Sequence, residues 1–197
     1  MIPNVPSVYN QPTIYNQAGG GANLDDYIVV QPIDGVEMPD GRIWSTVNLK
    51  LIPYGIEQGT VWQKSPPECN AYNQDATLID EYGLYYNFAA AEFLHTNKDT
   101  LFPGWDVPTR AEYEALFSAC SNSYITLQAA GFNDKKCGGM VVFDGNWQYK
   151  GYHSFYWSRS SQNSDSGWSA YMNASDPLAM SSQWKQSLYP IRLVKDV

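Results

Sequence analysis

Few side chains in this 197-residue chain could move a proton, attack a substrate or hold a metal: His95 and His153, the cysteines Cys69, Cys120 and Cys137, and 20 carboxylates. Nucleophilic catalysis needs a Ser or Cys within hydrogen-bond reach of a base, and nothing in the local sequence around either histidine supports such a pair. His95 falls near the end of a helical stretch, where an imidazole can cap carbonyls. The cysteine spacings match neither a zinc site nor a CxxC redox pair. A single Cys120–Cys137 disulfide is one reading of them, and free buried thiols are the preferred one. Calcium needs several converging oxygens, whereas Glu37, Asp40, Asp75, Asp80 and Glu81 are scattered. There is no phosphate-binding loop, dinucleotide fingerprint or HExxH helix. The expectation is a protein that is not an enzyme and holds neither cofactor nor metal.

What the chain has in excess is aromatic surface. It carries 15 Tyr and 7 Trp, with aromatics at 15% against 16% charged residues. Tyr and Trp combine a large, stiff apolar body with a polar tip and are favoured where a surface binds something. They are equally at home in a β-rich core, so position has to decide. The net charge of -8 and the scattered basic residues exclude the phosphate-neutralising face that nucleic-acid binding requires, and argue against anionic membranes. The longest aliphatic run is Ile28-Val29-Val30, far short of a membrane span, so no membrane insertion is expected. The N-terminus lacks the basic and apolar regions of a secretory signal, which predicts a route other than classical export.

The elements that must position these residues fall into two parts. Residues 1–22 contain Pro3, Pro6 and Pro12, no charged side chain, and a near-repeat, Val8-Tyr9-Asn10-Gln11 followed by Ile14-Tyr15-Asn16-Gln17. A Gly-rich joint, Ala18-Gly19-Gly20-Gly21-Ala22, follows. Such a segment cannot bury enough apolar surface to fold alone, so Val8, Tyr9, Ile14 and Tyr15 are expected to anchor it, extended, on sister chains or on another protein. Residues 23–197 read as one domain. Tyr27–Gln31 is strand-like, and Asp40-Gly41 marks a hairpin before a strand over Arg42–Val47. Residues 53–80 look like loop, and Tyr86–His95 has helical character. Thr109 and Glu112 form a capping box after Pro108, starting a helix with Tyr113, Leu116 and Phe117 on one face and its end near Ala119. Asp144-Gly145 is another turn, and Tyr189–Val194 a closing strand. The expected class is α+β, with two helices and short twisted antiparallel strands.

Several motifs then occur in a specific order: Gly41-Arg42-Ile43-Trp44 with Asn48-Leu49, Tyr82-Gly83-Leu84-Tyr85-Tyr86-Asn87-Phe88-Ala89-Ala90, Gly104-Trp105-Asp106-Val107-Pro108-Thr109, Gly131-Phe132-Asn133, Tyr156-Trp157-Ser158 and Ile191-Arg192-Leu193-Val194-Lys195-Asp196. The series resembles the Fibrobacter succinogenes major paralogous domain, within the wider C-type-lectin-like and formylglycine-generating-enzyme-like group, over roughly residues 34–196. The resemblance implies a C-type-lectin-like fold; independently of it, the large ring of Trp157 is expected to pack beneath the opposite strands. It also implies an exposed recognition face between the Trp-Ser motif and the last strand. Carried onto this chain, the candidate ligand-binding residues are Arg159, Ser161, Asn163, Asp165, Trp168, Tyr171, Asn173, Asp176, Gln183 and Trp184, bordered by Tyr149, Tyr152 and His153. Small polar residues interleaved with Tyr and Trp make an adaptable binding surface; the plainer reading turns Trp168 and Tyr171 into the core. The paired active-site cysteines of the formylglycine-generating branch and the Glu-Pro-Asn or Gln-Pro-Asp and Trp-Asn-Asp motifs of calcium-dependent lectins are missing, and Asp176-Pro177 reads as a turn.

The functional expectation is a non-catalytic, virion-displayed binding protein, such as a phage head- or tail-fibre or decoration protein. It would be a homotrimer attached to a capsid or tail protein through residues 1–22, and would recognise a host-surface glycan or protein. The alternatives are a purely structural decoration protein and a bacterial cell-surface lectin-like module.

Overall fold

The structure, a computed structural model, describes residues 33–53, 55–58, 66–134, 139–141, 146–149 and 151–197. The strand expected over Tyr27–Gln31, the anchor residues Val8, Tyr9, Ile14 and Tyr15, Cys137 and the Asp144-Gly145 turn lie outside the described residues.

Along the chain, β1 (Gly35–Glu37) and β2 (Arg42–Ser45) form an antiparallel hairpin. Its turn is closed by Gly41 N donating to Met38 O, with Gly41 at φ 77°, where only glycine is unstrained. β3 (Glu57–Gln58) pairs with β4 (Glu68–Ala71), and after two 3-10 turns and the single-turn α1 (Ile79–Tyr82), β5 (Leu84–Tyr86) completes that sheet. Then come α2 (Phe88–Thr96), α3 (Lys98–Leu101), α4 (Arg110–Ala119) and α5 (Tyr124–Ala129). The short β6 (Met140–Val141) and β7 (Trp147–Gln148) pair with each other. β8 (Ser154–Ser161), β9 (Ser166–Met172) and β10 (Ala179–Trp184) form an antiparallel sheet in the order β10-β9-β8. β11 (Val194–Asp196) returns to pair with β2, so the C-terminus closes the sheet begun by β1. The class is α+β.

The sheet β8–β9–β10 organises the core because side chains alternate between its faces. Phe155 and Trp157 belong to one buried cluster with Phe88, Ala90, Ala91 and Leu94 of α2, while Tyr156, Ala170 and Met172 belong to another with Tyr113, Leu116 and Phe117 of α4. Helices thus cover both faces. Gly167 permits the approach of α2, since a Cβ there would overlap the Phe88 ring.

Strong local signals agree with the observed elements. α4 ends at Ala119 as expected, and its capping box is complete: Thr109 N donates to Glu112 Oε2 at 2.6 Å and Glu112 N to Thr109 Oγ1 at 3.2 Å. Other expectations need correction. There are more than two helices, because α1, α3 and α5 span only four to six residues, too few for a 3.6-residue repeat to be visible. Residues 53–80 are not simply loop: β4 is buried at every position, so it shows no polar alternation. The helix expected over Tyr86–His95 starts at Phe88, because buried Asn87 caps it, accepting from Ala90 N at 2.8 Å and from Glu68 N at 3.0 Å. The strand from Arg42 stops at Ser45 rather than Val47, where Ser45 Oγ turns back to donate to Val47 O. The closing strand begins only at Val194. Before it, the carbonyls of Pro190, Ile191 and Leu193 accept from Trp157, Leu49 and Ser45 in turn, so this segment stitches several elements together instead of forming one ladder.

Candidate functional site

The turn after β7 sets the first part of the site. Tyr149 has φ 64°, a left-handed conformation that costs free energy in a side-chain-bearing residue. Its carbonyl accepts from Tyr152 N and His153 N, and Gly151 at φ 82° completes the turn. The turn leaves Tyr149 47% and Tyr152 75% exposed. β9 brings Tyr171 onto His153, stacked with ring centroids 5.4 Å apart, and Tyr149 meets the same His153 ring edge-on at 5.0 Å. Phe155, buried and opposite Tyr171 in the ladder, is the floor.

A polar array lies on this aromatic group. Buried Asn173 accepts at Oδ1 from Ser175 N and Asp176 N, which folds the chain back after β9. Its Nδ2 donates to Asp176 Oδ2 at 2.6 Å, and Tyr171 Oη donates to the same oxygen at 2.9 Å. Tyr171 Oη lies 3.0 Å from His153 Nδ1. The bond from Asn173, then that from Tyr171, holds the Asp176 carboxyl below the ordinary carboxylate range, while burial and then the Asp176 bond raise the Tyr171 phenol. Near neutral pH the group therefore presents a solvent-exposed, ionised carboxylate fixed by Tyr171 and Asn173, with Tyr171 stacked on the His153 ring that exposed Tyr149 meets edge-on. Both donors to Asp176 reach Oδ2, and among the described residues none donates to its Oδ1, where a ligand hydroxyl would find an acceptor.

Of the other candidates, several stand elsewhere. Ser161, Asn163 and Asp165 sit at the β8–β9 hairpin, roughly 17 Å from Tyr171 at about 3.3 Å per residue. There Asn163 Oδ1 accepts from Asp165 N and Ser166 N, Ser161 Oγ donates to Asn163 O, and Asp165 O accepts from Lys185 N. Trp184, 51% exposed, is opposite Ser166 at the same end. Gln183 lies half-buried and accepts from Tyr189 Oη at 3.0 Å. Trp168 turns towards α4, where the Arg110 guanidinium covers it at 3.8 Å from the ring centroid. The candidates therefore do not form one continuous patch: the strand period sends neighbours to opposite faces, and two helices occupy those faces.

Arg159 belongs to a third location. It donates to Val107 O at 3.0 Å and lies 3.5 Å from Asp106 Oδ2 and 3.3 Å from His95 Nε2. His95 Nδ1 meets Asp106 Oδ1 at 2.7 Å and Lys98 Nζ donates to Asp106 Oδ2 at 2.9 Å. Burial alone would raise the Asp106 carboxyl, but Lys98, His95 and Arg159 together hold it below its ordinary value. The carbonyl-capping role expected of His95 is thus replaced by an ion-pair network that both ring nitrogens help to build. No local pattern announced Asp106 as its partner. Cys69 and Cys120 are buried free thiols, and burial raises both, Cys69 to about 12, which makes them poor nucleophiles. Among the described residues no group of three or more His, Cys, Asp or Glu side chains converges for a metal, and no helix is long and apolar enough to cross a membrane.

Comparison with known proteins finds no match to this chain among protein-family models, curated proteins or solved structures.

Proposed function

We propose that the domain is a non-catalytic recognition module that binds a glycan at the Tyr149–Tyr152–Tyr171–Asn173–Asp176 end of the β8–β9–β10 sheet. The observation that carries this is the fixed, ionised Asp176 carboxylate held by Tyr171 and Asn173, joined through His153 to the exposed Tyr149 ring of the turn that also exposes Tyr152. Sugars offer flat C–H faces for aromatic rings and hydroxyls for a carboxylate and an amide, and a binding site combines such apolar walls with a few placed polar groups. Removing the Tyr152 ring (Tyr152→Ala) or the carboxylate (Asp176→Ala) is expected to weaken binding to the best ligand of a glycan array at least tenfold, with an unchanged far-UV circular dichroism spectrum. Equal affinity in both variants would discard this site.

The C-type-lectin-like reading of the fold rests on the order of motifs together with three features: the last strand β11 returning to the β1–β2 hairpin, two main helices α2 and α4, and a late antiparallel sheet carrying the candidate site. The virion-displayed reading rests on the uncharged near-repeat in residues 1–22. Weak single sites gain avidity when several copies act together, which suits a homotrimer fixed by that segment to a capsid or tail protein. Light scattering is expected to give a trimer for the whole chain and a monomer after removal of residues 1–22; a monomer in both cases would remove self-assembly. The purely structural alternative differs in one respect: substitutions at Tyr152 and Asp176 would then leave host attachment intact.

A further inference from the structure

β10 is an edge strand, last in the order β10-β9-β8. An edge presents a row of unpaired backbone groups, and proteins ordinarily guard it with charge, proline or a bulge. β10 carries none of these. Ala179-Met180-Ser181-Ser182-Gln183-Trp184 is uncharged and free of proline, its pairing with β9 runs without a register shift, and none of its residues is buried.

The ladder decides which backbone groups face outward. In an antiparallel pair, opposed residues alternate between exchanging both backbone hydrogen bonds and exchanging none. Trp157 N turns away from β9 to donate to Pro190 O, so Ser169, opposite Trp157, directs its backbone to β10, where it faces Ser181. By alternation the N–H and C=O of Met180 and Ser182 point away from β9. Beyond them on the same side the backbone is engaged: Leu178 N donates to Asn122 O, and Trp184 O accepts from Ser187 N. Between those two closures, the outward groups of Met180 and Ser182 have no backbone partner among the described residues. The open edge thus covers residues 179–183.

The chain holds an extended segment of the same length and chemistry. Thr13-Ile14-Tyr15-Asn16-Gln17 lies between Pro12 and the Gly-rich joint, carries no charge, and begins with three residues of high β-propensity. An added strand draws its affinity from main-chain hydrogen bonds, and here neither side brings a charge that would have to be desolvated. We infer that the outer edge of β10 receives residues 13–17 of a sister chain as an added strand, bonded to Met180 and Ser182. The inference rests on the homotrimer reading above and assigns the self-association to one sheet edge.

The test is hydrogen exchange at the Met180 and Ser182 amides of the full chain, with molar mass by light scattering on the same sample. Both amides are expected to exchange at least about tenfold more slowly than in a full chain carrying Ile14→Pro and Tyr15→Pro, because a bonded amide exchanges only when its bond opens. Those two prolines remove a ladder N–H whichever way the added strand faces, and they leave residues 33–197 unaltered. Ser182→Pro removes an outward N–H on the acceptor side, where an edge strand tolerates proline, and is expected to turn the trimer into a monomer with an unchanged far-UV circular dichroism spectrum. Should Ser182→Pro fail to fold, the exchange comparison decides alone. Protection that persists with Ile14→Pro and Tyr15→Pro would mean that a second β10 or another element covers the edge, and would overturn the proposal. Protection in a monomeric full chain would overturn it too, by giving the strand to the same chain. A trimer with unprotected Met180 and Ser182 amides would overturn this proposal and leave the trimer standing, whereas a monomer with unprotected amides would overturn both.

Discussion

Replacing Arg192 with methionine is expected to destabilise the protein by about 3–5 kcal/mol, because three uncharged acceptors lose a buried charged donor together. The side chain is buried against the Phe132 and Tyr156 rings, with its guanidinium carbon 4.8 Å and 5.6 Å from their centroids. From there it donates to Ser45 O, Phe132 O and Asn48 Oδ1, joining the end of β2, the segment after α5 and the last stretch before β11. Methionine fills much of the volume but returns none of those donors, and each buried acceptor that loses a charged donor costs about 1–3 kcal/mol. Lysine would restore the charge as a single point and is expected to recover less than half, since it lacks the planar fork. Urea denaturation is the measurement, read as a lower midpoint at constant slope. A loss below about 1 kcal/mol would mean that water replaces the guanidinium, and Arg192 would not be the clamp described here.

The second large effect is expected at Trp157. The side chain is fully buried, with its ring centroid 4.5 Å from that of Tyr189 and 5.3 Å from that of Phe88, the latter in an edge-on contact. Its Nε1 donates to Tyr86 O at 2.8 Å. Truncation to alanine opens a cavity between β8, α2 and the Tyr189–Leu193 segment, and large-to-small changes of this kind cost about 3–5 kcal/mol. Trp157→Phe is expected to cost far less. Tyr86 O also accepts from Tyr189 N, so the indole N–H can be lost without leaving that carbonyl bare. The comparison of the two variants by thermal unfolding separates ring volume from the hydrogen bond; similar losses in both would assign the stability to the N–H instead.

How much of this was legible in the sequence depended on the range of the interaction. The α4 boundaries followed from Thr109, Glu112 and the Tyr113/Leu116/Phe117 spacing, all within one or two turns of helix. The β1–β2 turn followed from Asp40-Gly41. Trp157 was expected in the core and is there. Arg192 was visible only as part of a terminal motif, and nothing near it in the chain indicates burial, because Asn48 and Ser45 lie at the other end of the sequence. Asp106 as partner of His95, Lys98 and Arg159 was hidden for the same reason.

The candidate site divides along the same line. The chain by itself determined the composition of the 149–184 region, its tyrosines, amides and turn residues, and with it the expectation of a recognition surface. Only the tertiary structure decided which of those residues meet. A strand sends successive side chains to opposite faces, and with α2 on one face and α4 on the other, exposure is decided at the sheet's ends and by what each helix covers. Trp168 is covered by Arg110, Arg159 is drawn to Asp106, and Asn163 closes a hairpin, while the turn at Tyr149 leaves Tyr149 and Tyr152 in solvent and His153 joins Tyr149 to Tyr171, Asn173 and Asp176. Composition is a local property of the chain; convergence depends on which distant element packs against which face.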